Sequence, residues 1–158
     1  MPNPKPWVQL ACICENVLIE PDNVPSLIRV VDTYTLPFAP DAPPLDVPVG
    51  VPVGVQLTAF VSLKSGGAVG DFEVGLRLTA PDNTEQPARK WPVELRGGEH
   101  GANLKITFAL QNPKLGLYWF DVLWDDDVLT RIPFRLKAAL TTESTASEAA
   151  PTETTTTH

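Results

Sequence analysis

Three segments of this chain alternate between apolar and polar residues, and this alternation constrains the fold more than any other feature. The segments are residues 55–64, 70–80 and 103–110, and Phe60 is an apolar residue on the predicted wet side of the first. Successive side chains of a β-strand point to opposite faces, so the pattern gives each strand one buried and one solvated face. Strands with one wet face are typical of antiparallel sheets, whereas buried parallel strands are apolar throughout. The sequence therefore predicts an all-β protein without a convincing helix.

Further strands and the turns between them complete the predicted architecture. Additional strands are expected at 7–19, 26–36 and 89–95, with a closing hairpin within 116–137. Turn residues separate the segments, at Pro21–Asn23, Ser65–Gly67, Pro81–Asn83 and Arg96–Gly101. We therefore predict an antiparallel β-sandwich of about eight strands, immunoglobulin-like or C2-like, with a small closed barrel as the second architecture.

The prolines indicate how the domain is divided. The chain has 17 prolines in 158 residues, and proline is excluded from helix interiors and central strands. The densest proline-rich stretch, 37–54, is predicted to be an extended loop that crosses from one sheet to the other. Residues 1–140 are then one β-sandwich domain. The Thr/Glu-rich segment 141–158 has little to bury and is predicted to be a disordered tail.

Net charge and cysteine content restrict the partners and the compartment. The net charge of -7 argues against binding nucleic acid or an anionic membrane, since both need a basic surface. No apolar run reaches the ~20 residues of a membrane span, and the first residues lack the apolar core of a signal peptide. Cys12 and Cys14 share one face of a strand, a poor geometry for a disulfide. Free thiols without a leader predict a cytoplasmic protein.

No complete catalytic constellation is present, so we predict that the protein is not an enzyme and needs no cofactor. His100 lies in a predicted glycine turn without a nucleophile or an orienting group, which leaves a hydrolase as the least favoured alternative. Cys12 and Cys14 would need His100 and His158 to complete a zinc site, and we interpret them as small buried apolar residues. Asp32 interrupts the buried face of the second strand and is predicted to mark a bulge or to pair with an arginine.

An acidic turn at Asp125, Asp126 and Asp127 joins the strands of the closing hairpin. Carboxylates on sandwich loops suit Ca²⁺, so a C2-like calcium or small-ligand module is an alternative function. A calcium ion needs 6–8 oxygens, and few other loops offer carboxylates. Aspartate is also a good turn former, and a solvated turn is the favoured interpretation.

The closing hairpin carries a candidate binding surface on its solvent side. Alternation places Tyr118, Phe120, Val122 and Trp124 in the core. The residues then predicted to point outward are Leu117, Trp119, Leu123, Arg131 and Arg135. Exposed Trp and Arg with apolar neighbours have the composition of an interface hot spot. Coverage by the 37–54 loop or by Trp7 is an equally favoured interpretation.

Pro133 indicates that the last strand is a sheet edge, which can also accept a strand from a partner. We therefore predict a protein partner or a homo-oligomer.

Two pairs of segments carry a resemblance to a known family. They are Trp7–Glu15 with Ser26–Asp32, and Gly116–Val122 with Leu129–Pro133. The chain resembles the uncharacterised bacterial family DUF6941 across most of residues 7–137. The resemblance implies an all-β fold and a bacterial, cytoplasmic setting. It supplies no activity and no catalytic residues, and it does not extend to the proline-rich loop or the tail.

Overall fold

The computed structural model describes residues 4–36 and 54–139, which form seven strands and no helix. The strands are β1 (Trp7–Ile19), β2 (Pro25–Val30), β3 (Thr33–Leu36), β4 (Gly54–Thr79), β5 (Arg89–Gln111), β6 (Gly116–Trp124) and β7 (Asp127–Ala138). The all-β prediction is confirmed. In the described ranges no helix is long and apolar enough to cross a membrane. The predicted disordered tail lies outside the described residues, as does the predicted crossing loop apart from Gly54.

Two long strands replace four predicted short ones. β4 spans 26 residues and β5 spans 23, and the two pair along most of their length. The pairing shifts register on both sides of Gly66, and Gly66, Gly97 and Gly98 have φ values of 56°, 80° and 60°. These left-handed conformations form bulges that bend the hairpin without reversing it. The predicted turns at Ser65–Gly67 and Arg96–Gly101 are therefore wrong, and His100 lies within β5.

The bent hairpin folds the strands into two layers. In the first sheet the order is β2, β1, the first half of β4 and the second half of β5. In the second sheet the first half of β5 is followed by the second half of β4, then β6, β7 and β3. The layers pack face to face, with the ring of Phe108 in the first sheet 4.9 Å from that of Phe120 in the second. The sandwich prediction is confirmed.

The predicted strand 26–36 is divided where the chain changes sheets. β2 pairs antiparallel with β1, whereas β3 pairs parallel with β7 and is the exception to the antiparallel pattern. Asp32 lies between them, exposed, and its carbonyl accepts a 2.7 Å hydrogen bond from the Arg135 amide. Its side chain is therefore not the buried carboxylate that the alternation indicated. The interruption in the pattern instead marks the strand boundary.

A second, smaller apolar cluster lies on the outer face of the first sheet. Phe60 was expected on the wet side of β4, but it is only 2% exposed and packs with Cys12, Cys14 and Val17. The Lys105 ammonium donates a 2.8 Å hydrogen bond to the Val17 carbonyl, which shows that the end of β1 reaches across β4 toward β5. The two cysteines are free and buried, as predicted. Burial raises the pKa of both thiols.

Candidate binding surface on the closing hairpin

The closing hairpin turns through two residues with left-handed backbone. Trp124 pairs with Asp127, and Asp125 and Asp126 between them have φ values of 47° and 66°. Two positive φ angles in a two-residue loop are typical of a type I′ turn, which matches the twist of the flanking strands. Aspartate tolerates this conformation better than most non-glycine residues. The geometry explains why this acidic sequence forms a tight turn.

Lysines lie beside the carboxylates of this turn. The Lys5 ammonium is 2.9 Å from Asp127, and the Lys90 ammonium is 3.3 Å from Asp126. Both pairs are largely exposed, so each contributes little to stability. Within residues 4–36 and 54–139, no group of three His, Cys, Asp or Glu side chains is arranged to hold a metal ion.

The inward residues of β6 are those that the alternation predicts. Tyr118, Phe120, Val122 and Trp124 are all buried, with exposures of 4%, 2%, 0% and 1%. The Tyr118 hydroxyl donates a 2.8 Å hydrogen bond to the Lys114 carbonyl, which satisfies its polar end. The inward side of β6 therefore forms part of the main hydrophobic core.

Leu123 does not belong to the binding surface, which corrects its predicted exposure. It is only 3% exposed. A bulge in β7 lies beside it: Val122 pairs with Thr130, but Leu123 pairs with Val128, so Leu129 is skipped in the pairing. On its other side Leu123 lies over Gly75, where an added Cβ would sit 3.2 Å from the Leu123 Cβ. The missing side chain at position 75 lets the leucine pack down onto β4.

The other predicted surface residues lie together on the outer face of the second sheet. Leu117 and Trp119 are half-buried, and Arg131 and Arg135 are exposed. Leu117 pairs with Arg135, and the Arg131 guanidinium lies 5.2 Å from the centre of the Trp119 ring. That distance is within the range of a cation–π contact. We call these four residues the Trp119 surface.

A buried carboxylate fixes the position of Arg131. Asp121 is 1% exposed although it points to the outer face. It accepts a 2.8 Å hydrogen bond from Arg77 and a 2.7 Å hydrogen bond from Arg131. An unpaired carboxylate at this burial would be strongly unfavourable, and the two guanidinium groups compensate. Burial raises the pKa of Asp121, but the hydrogen bonds from Arg77 and Arg131 outweigh it, so the pKa lies below its ordinary value.

The sequence did not reveal this network. The alternation places Arg77, Asp121 and Arg131 at outward positions of their strands, and this was the only indication in the sequence that they could meet. Their contact depends on β4 pairing with β6 in one register, with Arg77 opposite Asp121 and Asp121 opposite Arg131. Alternation gives the face of each residue but not the neighbour of each strand.

Trp7 does not cover the Trp119 surface. Its ring is 70% exposed and lies over Gly66, at the bend of β4. The other proposed cover, the 37–54 loop, falls outside the described residues except for Gly54. β3 pairs only with Arg135–Ala138 of β7, so Pro133 stands on a part of β7 that β3 does not reach. This position agrees with the edge that Pro133 predicts.

Comparisons with known proteins find no family for the chain and only weak structural similarity. No family model matches the chain, and no curated protein matches its sequence. A crystal structure of an immunoglobulin-like protein from Pseudomonas aeruginosa is similar at 13% identity and a TM-score of 0.41, covering 87% of this chain and all of that one. β-Glucosidases from Listeria innocua and Kluyveromyces marxianus are similar at 11% and 16% identity, with TM-scores of 0.39 and 0.35. They match over 69% and 59% of this chain, which spans only 15% and 14% of their lengths. No activity is carried over from these similarities.

Proposed function

We propose that this protein is a non-enzymatic β-sandwich module that binds another protein through the Trp119 surface, and that the partner presents acidic residues. Membership of the DUF6941 family and a cytoplasmic location stay predictions of the sequence. The proposal rests on the composition, the rigidity and the charge of this surface.

Composition and rigidity favour a binding role. Tryptophan and arginine are the residues most enriched at interface hot spots. Arg131 is held over Trp119 by Asp121, which is held in turn by Arg77. An arginine already fixed in place loses less conformational entropy on binding than a free one. The buried Asp121 between two arginines, on the outer face of the second sheet, is the observation that carries the proposal.

The local charge favours an acidic partner. Arg131, Arg135 and Lys137 lie on the exposed side of β7, whereas the chain as a whole has a net charge of -7. Asp121, the carboxylate beside Arg131, is already hydrogen-bonded to two guanidinium groups. Complementary charge accelerates association and weakens with salt. We favour this function over a calcium module because Asp126 and Asp127 already lie beside lysines.

Affinity capture with matched variants tests the proposal. The protein is used as bait in cells that produce it naturally, as wild type, Trp119→Ala and Arg131→Gln. Trp7→Ala and Arg96→Gln are the controls, since each removes an exposed residue of the same type elsewhere. The expected result is a partner lost with the first two variants, retained with the controls and released by salt. Equal recovery with Trp119→Ala and with wild type, at unchanged thermal stability, would contradict the proposed surface.

A further inference from the structure

A cleft of about 530 Å³ opens on one side of the sandwich, between its two sheets. The two halves of β5 border this side, one as the edge of each sheet, because β5 pairs only with β4. Among the described residues no strand closes the gap between these edges. The volume falls within the roughly 300–1,000 Å³ that is typical of small-molecule sites.

Apolar and polar groups both line the cleft. The apolar part is formed by inward side chains from three strands, namely Leu76, Leu78, Trp91, Phe108 and Phe120, and the polar part includes Gln86, Lys105 and Thr107. Phe120 is fully buried and forms part of the core, whereas the other four apolar residues are only partly buried. The apolar part of the cleft is thus an accessible extension of the hydrophobic core, and three aromatic rings line it.

Arg89 introduces a positive charge at an inward position of this cleft. It lies opposite Leu76 in the β4–β5 ladder, so it shares the face of Leu76 and of Trp91. It lines the cleft, and no carboxylate of the described residues lies within ion-pair distance of it. The neighbouring Lys105 differs, because its ammonium already donates to the Val17 carbonyl. Arg89 is therefore a guanidinium group free to bind an anion beside the apolar part of the cleft.

We propose that this cleft binds a small amphipathic carboxylate, with the carboxylate on Arg89 and the apolar body between Trp91 and Phe108. A planar guanidinium matches a carboxylate through two parallel hydrogen bonds. Inward apolar side chains with the Arg89 guanidinium beside them fit a molecule such as a medium-chain fatty acid, which has an apolar chain and one carboxylate. The site lies along the β5 edge of the sandwich and shares no residue with the Trp119 surface on β6 and β7.

Titration with octanoate tests this site, using octan-1-ol as the neutral analogue of the same chain length. Isothermal calorimetry is performed with the full chain, as wild type, Arg89→Gln and Arg96→Gln. Arg96 is on the same strand but pairs with Glu94, which makes it the matched control. Loss of one charge-assisted hydrogen-bonded pair is expected to weaken octanoate binding about 10- to 100-fold in Arg89→Gln. Arg96→Gln should bind octanoate as wild type does, and octan-1-ol should bind wild type at least about tenfold more weakly than octanoate does.

Changes in the NMR chemical shifts of amide and indole N–H groups show where octanoate binds. Octanoate is expected to shift the Trp91 indole N–H and the amides of residues 105–110, and to leave Trp119 unchanged. The proposal is overturned if wild type does not bind octanoate at millimolar concentration, or if Arg89→Gln binds it equally well. It is also overturned if octan-1-ol binds as tightly as octanoate, or if the shifts lie elsewhere.

Discussion

Each sheet has a large aromatic residue on its outer face, and the two residues differ in burial and in their neighbours. Phe60 on the first sheet is 2% exposed and packs in an apolar cluster with Cys12 and Cys14. Trp119 on the second sheet stays half-buried and contacts the Arg131 guanidinium. One aromatic residue belongs to the fold, and the other remains available at the surface.

The neighbours of each residue explain the difference. The end of β1 crosses the outer face of the first sheet and brings Val17 to Phe60. On the second sheet the neighbours are charged, and Asp121 and Arg131 form a network instead of a hydrophobic cover. An apolar residue at an outward position is therefore not by itself a binding signal. What matters is whether another part of the chain packs over it.

The largest expected effect is that of removing the Phe60 ring. Phe60→Ala leaves a cavity under the β1–β2 hairpin and should lower the free energy of unfolding by about 3–5 kcal/mol. Urea denaturation measures this change. The control, Leu10→Ala, truncates a 42% exposed residue of β1 and should change stability by about 0.5 kcal/mol or less. A loss below ~1 kcal/mol for Phe60→Ala would mean that the outer cluster is not a second core.

The Asp121 network should have the next largest effect. Asp121→Asn weakens two charge-assisted hydrogen bonds and should lower the free energy of unfolding by about 2 kcal/mol at pH 7. The pKa of Asp121 is lowered in the folded state. Its contribution is therefore fully present above its unfolded pKa of about 4, and it is lost as the pH falls through the folded-state pKa.

The difference between wild type and Asp121→Asn should accordingly shrink when urea unfolding is repeated at about pH 3, below that unfolded pKa. Asp71→Asn, which alters an exposed carboxylate of β4, is the control. A difference that stays constant or grows toward acid would show that the charge of Asp121 does not stabilise the fold.

Trp119 should matter much less than Phe60 for stability. Trp119→Ala removes a half-buried ring and one cation–π contact, so the expected loss is about 1 kcal/mol. Urea denaturation measures this loss, which can then be compared directly with the loss caused by Phe60→Ala. Should Trp119→Ala cost as much as Phe60→Ala, Trp119 would be a structural residue and its surface role would lose its support.

Calcium should have the smallest effect. Asp126 and Asp127 lie beside Lys90 and Lys5, and a cation would have to compete with these ammonium groups. We expect the thermal unfolding midpoint to be the same in millimolar calcium and in chelator, because only a ligand bound to the folded state raises it. A calcium-dependent rise that disappears in Asp126→Asn would instead favour the calcium-module alternative.

The sequence predicted the class of the fold and the face of most residues. Alternation identified the core side of β6, including Phe120 and Trp124, and the outward side that holds Trp119. These are local properties, since side-chain direction follows from the two-residue period of a strand. The tight turn at Asp125 and Asp126 is likewise encoded locally.

Long-range features were not predictable in the same way. Glycines at 66, 97 and 98 were interpreted as chain reversals, yet they form bulges that carry two strands from one sheet to the other. The burial of Leu123 depends on Gly75 of another strand. The contact of Arg77 with Asp121 and the inward position of Arg89 both require the register of β4 with its neighbours. A single sequence does not specify that register.

Site-specific photo-crosslinking tests the central claim most directly, because it asks which outer face meets a partner. A photoreactive phenylalanine analogue is placed at Leu117, within the Trp119 surface, and in a second protein at Gln56, an exposed outward residue of the first sheet. Irradiation in cells that produce the protein naturally is followed by mass spectrometry of the adducts. We expect a discrete adduct from position 117, joined to an acidic peptide, and none from position 56. Equal adducts from both positions, or none from position 117, would contradict the account.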